Sequence, residues 1–372
     1  MAENAPEPSR PAVFSRAQVS LPGARRAAVI GAGSFGTAIA VLLARAGLRT
    51  TLQTRTSEQA ASLNESRENT AYLPGIELPA ALRIEPVTSG VGRADYVFLA
   101  VPSTALRAVV DLLADRGLGR RAAAVSLSKG LVPADGAIPT AVLRGHFGAH
   151  RIACIGGPAH AQEMVHHGAA LVSASASESL AAALAAIFTR AGVVCEISND
   201  PTGVELAGVA KNAAALAAGA TESQGLNAAG AAAGHIFAEV WRYAEANGAW
   251  PESMIGLAGA GDLVATALAP QSRNRRAGEL LAQGASAAEI ERQVGQAVES
   301  LESVRLLAQA VERAGFPAPV TGALSRLISG ELPLEEWVAL VRATVPARTG
   351  RRGPNWWRRL RSRAVNGAPP AS

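Results

Sequence analysis

A glycine-rich turn near the start of the chain constrains the fold more than any other feature of the sequence. Residues 31–36, GAGSFG, have the spacing G-x-G-x-x-G, after the apolar run 27–30 and before the helical pattern 37–46. In a strand–turn–helix unit Gly31 permits the tight turn, Gly33 removes a side chain that would block a pyrophosphate, and Gly36 lets helix and strand pack closely. The helix N-terminus then offers free N–H groups to phosphates. The motif predicts a dinucleotide-binding unit, with a purely structural glycine turn as the alternative.

The apolar pattern predicts the fold class. Further short apolar runs are separated by longer amphipathic segments, and they lie at residues 50–53, 96–101, 122–127 and 152–155. One intervening segment carries a helical stripe formed by Leu106, Val109, Val110 and Leu113. Strands that alternate with helices predict an α/β protein with a Rossmann-like, doubly wound parallel sheet. After residue 199 the pattern changes to long alanine-rich segments at 201–219, 226–247 and 287–314, which predict an all-helical C-terminal domain.

These patterns divide the chain into four parts. We expect a disordered leader at residues 1–25, a dinucleotide-binding domain at 26–198, a helical substrate and catalytic domain at 199–345, and a basic disordered tail at 346–372. The leader lacks the apolar region of a secretory signal, and no run near 18 apolar residues is free of charge. The two cysteines, Cys154 and Cys195, have neither a disulfide framework nor metal-ligand spacing. We therefore expect a cytoplasmic protein that binds no metal.

The formal net charge of +5 belongs to the C-terminal end of the chain. Residues 337–372 hold eight arginines and no acid, which leaves 27 cations and 30 acids in residues 1–336. A slightly acidic body gives no overall electrostatic footprint for nucleic acid, so we expect none as a partner. The tail, with Trp356 and Trp357 among its arginines, could make a weak contact with an anionic membrane surface. A disordered solubilising end is the alternative.

Lysine is almost absent from the chain, and this makes its two positions informative. The sequence has 33 arginines but only Lys129 and Lys211. Lysine differs from arginine because its amine can lose a proton near neutral pH. Lys129 follows the strand-like run 122–127, at the carboxyl edge where open α/β sheets bind ligands. The runs 96–101 and 152–155 end in similar Pro-, Ser- or Gly-rich turns, so we expect one crevice with Lys129 in it.

Lys211 and Asn212 lie in a segment whose flanks are almost wholly apolar on every face, so we expect the pair to be buried. A buried ammonium is costly without partners, and Asp262, at a glycine-rich turn, is a plausible one. The segment 272–276, SRNRR, places three guanidinium groups and two neutral donors together, a set suited to a phosphate. A solvated basic turn is the alternative for that segment.

The end of the second strand bears on cofactor choice. An NAD-preferring fold usually carries an acid there for the ribose hydroxyl, whereas this chain has Gln53, Thr54 and Arg55. Arg55 could accommodate a 2′-phosphate, which favours NADP(H) and leaves NAD(H) open. A solvated loop arginine is the alternative interpretation.

Taken together, these motifs resemble the bacterial NAD(P)-dependent glycerol-3-phosphate dehydrogenase family. The resemblance rests on strings that occur in the family's order between about residues 27 and 341: GAGSFGTAIA, ENTAYLPGI, VFLAVPS, SLSKG, GGPAHAQE, ELAGVAKNAAALAAG, GLAGAGDL and SRNRRAG. It implies reduction of dihydroxyacetone phosphate to sn-glycerol 3-phosphate for phospholipid synthesis. The SRNRR segment, the Lys-Asn helix and the G-D-L turn together are specific to the family, whereas the dinucleotide turn is not.

The resemblance also implies roles for individual residues. Lys211 matches the catalytic proton donor or acceptor. The positions that match substrate binding are Lys129, Gly157, Ala159, Lys211, Asp262, Ser272, Arg273 and Asn274. The positions that match cofactor binding, with the turn glycines, are Gly31, Gly33, Ser34, Phe35, Gly36, Arg55, Tyr72, Lys129, Ala161, Arg273, Ala297 and Glu299. The chain departs from the family at Ala159, where Ser or Thr is usual, and at Gln53, Ala297 and Ser300.

Two alternatives to this reaction stay open from the sequence. One is a related hydroxyacid dehydrogenase that acts on an unphosphorylated substrate, against which the SRNRR segment argues. The other is a non-catalytic dinucleotide-binding protein, which the presence of both lysines disfavours. The expected partner is a small-molecule substrate, and a homodimer is a further expectation that the sequence does not decide.

Overall fold

The structure, a computed structural model, describes residues 25–269 and 272–345. The expected leader, apart from Arg25, and the expected tail lie outside the described residues. Within them, no single helix is both long and apolar enough to cross a membrane, although the bent pair Pro251–Leu268 and Arg273–Ala282 meets that test of length and composition.

The first part of the described chain is built around one large sheet. Its strands, with a short separate hairpin formed by β3 and β4, are β1 (Arg26–Ile30), β2 (Arg49–Thr54), β3 (Glu68–Asn69), β4 (Leu73–Glu77), β5 (Arg83–Pro86), β6 (Tyr96–Leu99), β7 (Ala123–Ser126), β8 (Ile152–Gly156), β9 (Ala170–Ala174) and β10 (Val194–Ser198). The order across the sheet is β10-β9-β8-β7-β6-β1-β2-β5. All five predicted strand runs are present, as β1, β2, β6, β7 and β8.

One detail of the predicted parallel sheet is wrong. The strands from β8 to β5 are parallel, but β9 pairs with β8 in the antiparallel direction, so β9 and β10 run opposite to the rest. Strand direction at a sheet edge depends on the connection that delivers the strand, and mixed sheets of this kind are common. An apolar run in the sequence carries no sign of its direction, which is why the pattern did not show it.

Helices cover both faces of the sheet, as doubly wound folds require. The helices of this part are α1 (Ser34–Arg45), α2 (Ser57–Ser66), α3 (Ser103–Arg116), α4 (Pro139–Phe147), α5 (Ala161–His167) and α6 (Glu178–Arg190). On one face α1 and α6 bury Ile39 and Leu184 against the sheet, and on the other α3 buries Leu106 and Val110. The predicted stripe on α3 is therefore its core face.

All the secondary-structure elements described after Ser198 are helices, in agreement with the predicted all-helical C-terminal part. The helices are α7 (Pro201–Thr221), α8 (Leu226–Ala246), α9 (Pro251–Ile255), α10 (Asp262–Leu268), α11 (Arg273–Ala282), α12 (Ala287–Val294), α13 (Glu299–Arg313), α14 (Pro319–Ile328) and α15 (Leu334–Ala343), with a π-helical turn at Leu257–Gly261. The single helix predicted at 287–314 is wrong, because Gly295 adopts a left-handed φ of 70° that ends α12.

Helix α7 forms the centre of the helical part and is buried on almost every side. Its packing against α11 depends on two glycines, since a Cβ on Gly219 would overlap the carbonyl oxygen of Arg275 and one on Gly278 would overlap that of Leu216. Small residues at the crossing let the two backbones touch. The close approach brings the polar N-terminal turn of α11 to the middle of α7, where Lys211 lies.

Candidate active site

Three charged side chains meet where the carboxyl edge of the sheet faces α7 and α10. Lys129, in the loop after β7, donates a hydrogen bond from Nζ to Oδ2 of Asp262 at 2.7 Å and to the carbonyl oxygen of Gly157 at 3.1 Å. Nζ of Lys211 lies 3.3 Å from Oδ1 of the same carboxylate. One aspartate therefore bridges both lysines of the chain, and we refer to Lys129, Lys211 and Asp262 as the Lys–Asp–Lys cluster.

The local folding of each segment explains this convergence. Lys211 sits on α7, which is fixed by its packing, and Asp262 is the first residue of α10, directly after the π-helical turn. A wide turn of this type changes the direction in which a helix presents its side chains. The stem of Lys129 passes close to Gly208, one turn before Lys211, where its Cβ and Cγ lie within van der Waals reach of a Cβ placed on the glycine.

The cluster is shielded from water to different degrees. The side chain of Lys211 is 8% exposed and that of Asp262 4%, whereas Lys129 is 18% exposed. A small cavity borders the cluster and is lined by Ser128, Lys129, Ile155, Gly156, Gly157, Val204, Glu205, Gly208 and Asp262. Lys129 thus stands at the entrance of the site and Lys211 behind it.

Burial and charge shift the pKa values of Lys211 and Asp262 in the cluster. Burial, and then the charge of Lys129, lower the pKa of Lys211 from 10.5 to about 8, although Asp262 opposes both effects. Burial alone would raise the pKa of Asp262, but the two lysines outweigh it and hold that pKa below its usual value. The aspartate therefore stays ionised, while Lys211 can exchange a proton near physiological pH.

A chain of amides links the cluster to the SRNRR segment. Nδ2 of Asn274, in the first turn of α11, donates to Oδ1 of Asn212 at 2.8 Å, and Nδ2 of Asn212 donates to the carbonyl oxygen of Lys129 at 3.2 Å. Ser272 is buried and caps α11, with its Oγ accepting a hydrogen bond from the backbone N–H of Arg275. The structure thus links Asn212 and Asn274 to the cluster and places Ser272 at the start of the helix that carries Asn274.

The arginine side chains of the SRNRR segment point in different directions. Arg275 turns away and donates two hydrogen bonds to Glu222 at 2.7 and 3.0 Å, so its role is structural. Arg273 is exposed and donates to Gln296 Oε1 at 3.1 Å and to the carbonyl oxygen of Ala297 at 3.4 Å. Arg273 is the guanidinium of this segment that is left open to a ligand near the amide chain.

Glu299 ties the helical part to the sheet beside the cluster. Its Oε1 accepts a hydrogen bond from the backbone N–H of Ser103, at the start of α3, at 3.3 Å. Burial raises the pKa of Glu299, although the N–H of Ser103 and the charge of Arg273 oppose this. Glu299 and Arg273 thus lie near one another at the rim of the crevice.

The glycine turn has the shape that a dinucleotide diphosphate requires. A Cβ on Gly31 would overlap the carbonyl oxygen of Ala100, and one on Gly36 would overlap that of Gly31, whereas a Cβ on Gly33 would meet no atom within 4 Å. Gly33 faces open space at the N-terminus of α1, which no side chain caps and which has no acid in its first turn. These are the conditions for an anion on the helix N-terminus. The ring of Phe35 lies 5.8 Å from Nζ of Lys129 and joins this turn to the cluster.

Several predicted positions lie apart from the cluster. Arg55 is exposed just after β2, Tyr72 is exposed between β3 and β4, and Ala161 begins α5. None of the three has a hydrogen bond or ion pair to the cluster. Ala159 lies half-buried in the loop after β8, near Gly157, and its methyl group offers no hydrogen bond.

Two residues at the cluster were missing from the sequence prediction. Thr266 accepts a hydrogen bond from Nζ of Lys211 at 3.1 Å, and its position one helical turn after Asp262 is a signal that could have identified it. Glu205 is buried on α7 and lines the cavity, where it accepts hydrogen bonds from the backbone N–H and Oγ of Thr140. Burial raises its pKa to about 8. A carboxylate inside an otherwise apolar helix was its signal.

Comparison with known proteins identifies the family. Family models described as the N-terminus and the C-terminus of NAD-dependent glycerol-3-phosphate dehydrogenase match residues 26–182 and 200–339. The chain is 37% identical over 316 residues to the glycerol-3-phosphate dehydrogenase (NAD(P)+) of Halorhodospira halophila, with 84% of this chain and 94% of the relative covered. The corresponding protein of Deinococcus radiodurans is 40% identical over 308 residues, with 82% and 90% covered.

Solved structures agree at the level of the fold. A glycerol-3-phosphate dehydrogenase from Coxiella burnetii superimposes with a TM-score of 0.80 at 27% identity, covering 86% of this chain and 99% of that one. A ketopantoate reductase from Ralstonia eutropha, at a TM-score of 0.58 and 21% identity over 84% of this chain and 99% of that one, shares only the architecture. The sequence relatives and the family models confirm the resemblance: the chain belongs to the NAD-dependent glycerol-3-phosphate dehydrogenase family.

Proposed function

We propose that this chain reduces dihydroxyacetone phosphate to sn-glycerol 3-phosphate at the Lys–Asp–Lys cluster, with NAD(P)H as hydride donor and Lys211 as proton donor. The observation that carries the proposal is the state of Lys211, a buried amine whose pKa is lowered to about 8 beside a second lysine and a bridging carboxylate. An amine tuned to the working pH is what general acid catalysis needs. In this proposal residues 26–198 bind the dinucleotide and residues 199–345 supply Lys211 and the phosphate ligands.

Each residue of the cluster has a distinct role in the reaction. A bound reduced nicotinamide supplies hydride to the ketone carbon of the substrate. Lys211 donates its proton to the oxygen on which negative charge develops, and Lys129 adds a second positive charge at the same place. Asp262 holds both amines and keeps Lys211 protonated enough to act. Thr266, which accepts a hydrogen bond from Lys211, fixes the direction of the ammonium group.

The start of α11 is the proposed phosphate site. Arg273, Asn274 and Ser272 supply a guanidinium, an amide and a helix N-terminus, all of which favour a phosphate dianion. The amide chain through Asn212 couples this site to the backbone of Lys129. Binding the phosphate therefore orients the ketone toward the lysines, which converts binding energy into position. Gly157, whose carbonyl oxygen accepts a hydrogen bond from Lys129, and Ala159 are proposed to contact the substrate as well, and the methyl group of Ala159 gives one polar contact fewer than a Ser or Thr would.

The dinucleotide site is proposed to run along the glycine turn. Gly31, Gly33, Ser34, Phe35 and Gly36 would hold the diphosphate. The remaining predicted cofactor positions are proposed to contact the rest of the dinucleotide, and they are Arg55, Tyr72, Lys129, Ala161, Arg273, Ala297 and Glu299. Arg55 is exposed after β2, the strand next to the glycine turn, where it could bind a 2′-phosphate, so we propose a preference for NADPH over NADH. An R55Q variant that lost affinity for NADPH but not for NADH would support that preference. An equal effect on both would contradict it.

The direct experiment mixes the purified chain with NADPH and dihydroxyacetone phosphate and follows the loss of reduced nicotinamide. Dihydroxyacetone without the phosphate and a 2-oxo acid serve as comparison substrates. Oxidation only with the phosphorylated ketone supports the proposal, and oxidation with the 2-oxo acid alone refutes it. K211R keeps the charge but cannot donate a proton readily, so it should bind both ligands and lose most turnover. A homodimer and weak membrane contact through the tail at 346–372 stay predictions of the sequence.

A further inference from the structure

Arginines concentrate at the amino-terminal edge of the sheet, opposite the active site. Each of the six parallel strands (β1, β2, β5, β6, β7 and β8) either begins with an arginine or has one within the three residues before its first residue. These side chains, which we call the basic edge, are Arg25, Arg26, Arg49, Arg83, Arg93, Arg120, Arg121 and Arg151. The same positions hold one acid, Asp95. Residues 1–336 as a whole carry more acids than cations, so this edge departs sharply from the rest of the body.

The backbone register places the arginines side by side. Arg26 is the register partner of Arg49 on neighbouring parallel strands, and Arg83 is the partner of Thr51, two residues along from Arg49. Side chains in register on parallel strands, and side chains two residues apart on one strand, project from the same face. Three guanidinium groups therefore share one face of three adjacent strands. Like charges placed in this way repel one another.

Most of this charge has no internal partner. Arg25 donates to the hydroxyl of Tyr96, and Arg151 donates to backbone carbonyl oxygens. The side chains of the other six arginines of the basic edge are exposed, and within residues 25–269 and 272–345 they make neither an ion pair nor a hydrogen bond. Asp95 accepts a hydrogen bond from the backbone N–H of Arg26. The charge is thus available to something outside this part of the chain.

We propose that the basic edge docks the protein on a membrane surface that carries anionic phospholipids. The first residues of six strands at about 4.8 Å spacing span about 24 Å, so the basic edge can reach several phosphate groups of a membrane surface at once. The basic edge has no exposed aromatic side chain for stacking on bases, which disfavours single-stranded nucleic acid as the partner. The active-site crevice opens at the opposite, carboxyl edge of the sheet, so docking leaves it facing the solvent. Binding of this kind is electrostatic, without insertion into the bilayer.

The test measures partition of the full chain onto vesicles of phosphatidylcholine, with and without about one-third phosphatidylserine. The substitutions R26Q, R49Q and R83Q are combined because these side chains share one face. At roughly fivefold per arginine near an anionic surface, the triple variant should bind on the order of 100-fold more weakly at about 0.1 M salt. A matched triple, R292Q, R326Q and R342Q, removes three exposed arginines of the helical part. It should bind like the native chain, because these charges lie elsewhere and are screened over about 10 Å.

Three outcomes would overturn the proposal. In the first, the native chain shows no preference for the anionic vesicles. In the second, both triples lose binding equally, which would assign the affinity to general charge or to the basic C-terminal segment. In the third, the basic-edge triple loses binding to a single-stranded oligonucleotide but not to vesicles. Thermal unfolding and turnover of both triples, expected to match the native chain, separate loss of docking from loss of folding.

Discussion

Replacing the proposed proton donor by methionine should make the protein more stable as well as inactive. Lys211 is buried, and its pKa falls from 10.5 to about 8 in the folded chain. At about 1.4 kcal/mol per pK unit, holding this amine protonated costs the fold about 3 kcal/mol relative to the unfolded chain. Methionine has a similar length and no charge, so K211M should gain about that free energy of unfolding at neutral pH.

The dependence on pH makes this prediction specific. Below pH 8 the amine is protonated in both the folded and the unfolded chain, so the full cost is present. Between pH 8 and 10.5 the folded chain loses the proton first, and stability of the native protein rises relative to the variant. Above 10.5 the amine is neutral in both states and the advantage of K211M disappears. The free energy of unfolding in urea, measured at neutral and at alkaline pH, gives the comparison, and titrating groups that do not interact with Lys211 cancel in the difference.

K211R serves as the control, since it keeps a charge at the same position and should gain no stability. If K211M were less stable than the native chain at neutral pH, the amine would be a net stabilising group and the reasoning from its burial would fail. A gain that stayed constant from neutral pH to above 10.5 would also refute it, because the gain would then come from packing rather than from the charge.

Three further predictions follow from the site. D262N removes the negative charge between two ammonium groups, so the pKa of Lys211 should fall further and the optimum for ketone reduction should move to lower pH in a rate profile. G33A adds a methyl group in open space and should leave thermal unfolding unchanged while weakening NADPH binding in a fluorescence titration, whereas G36A should lower the unfolding temperature through backbone overlap. The pKa of Glu205 is raised from 4.5 to about 8, so the free energy of unfolding of the native chain should decline as the pH rises from 4.5 to 8. Over the same rise in pH, E205Q should become increasingly more stable than the native chain in urea unfolding.

Much of the fold followed from local pattern. The glycine turn between an apolar run and a helix located β1 and α1, and the alanine-rich segments located α7 and α8. What could not be predicted depends on distant neighbours, such as the reversed direction of β9. The break between α12 and α13 had a local signal, since Gly295 stands at it in the sequence. We nevertheless predicted one helix there, because the helical periodicity continues on both sides of the glycine.

In the candidate site, too, some features could be predicted from the sequence and others depend on tertiary packing. The scarcity of lysine singled out Lys129 and Lys211, and the apolar surroundings of Lys211 correctly indicated its burial. The bridging of both amines by Asp262 was not readable, because it depends on the π-helical turn and on the packing of α10 against α7. Arg273 and Arg275 are indistinguishable in the string SRNRR, yet one faces the site and the other pairs with Glu222. The rotation of α11 about its own axis decides which way each side chain points, and the packing of α7 against α11 fixes that rotation.

The central claim is that Lys211 gives its proton to the substrate oxygen, and the pH profile of NADPH-dependent reduction of dihydroxyacetone phosphate tests it most directly. At substrate concentrations well below KM, where the rate reports kcat/KM and therefore the free enzyme, the rate should be level below pH 8 and fall about tenfold per pH unit above it, as the amine with a pKa of about 8 loses its proton. K211R should show only a small residual rate with no break near pH 8. A native profile that stayed level to pH 10, or the same break in K211R, would contradict the assignment.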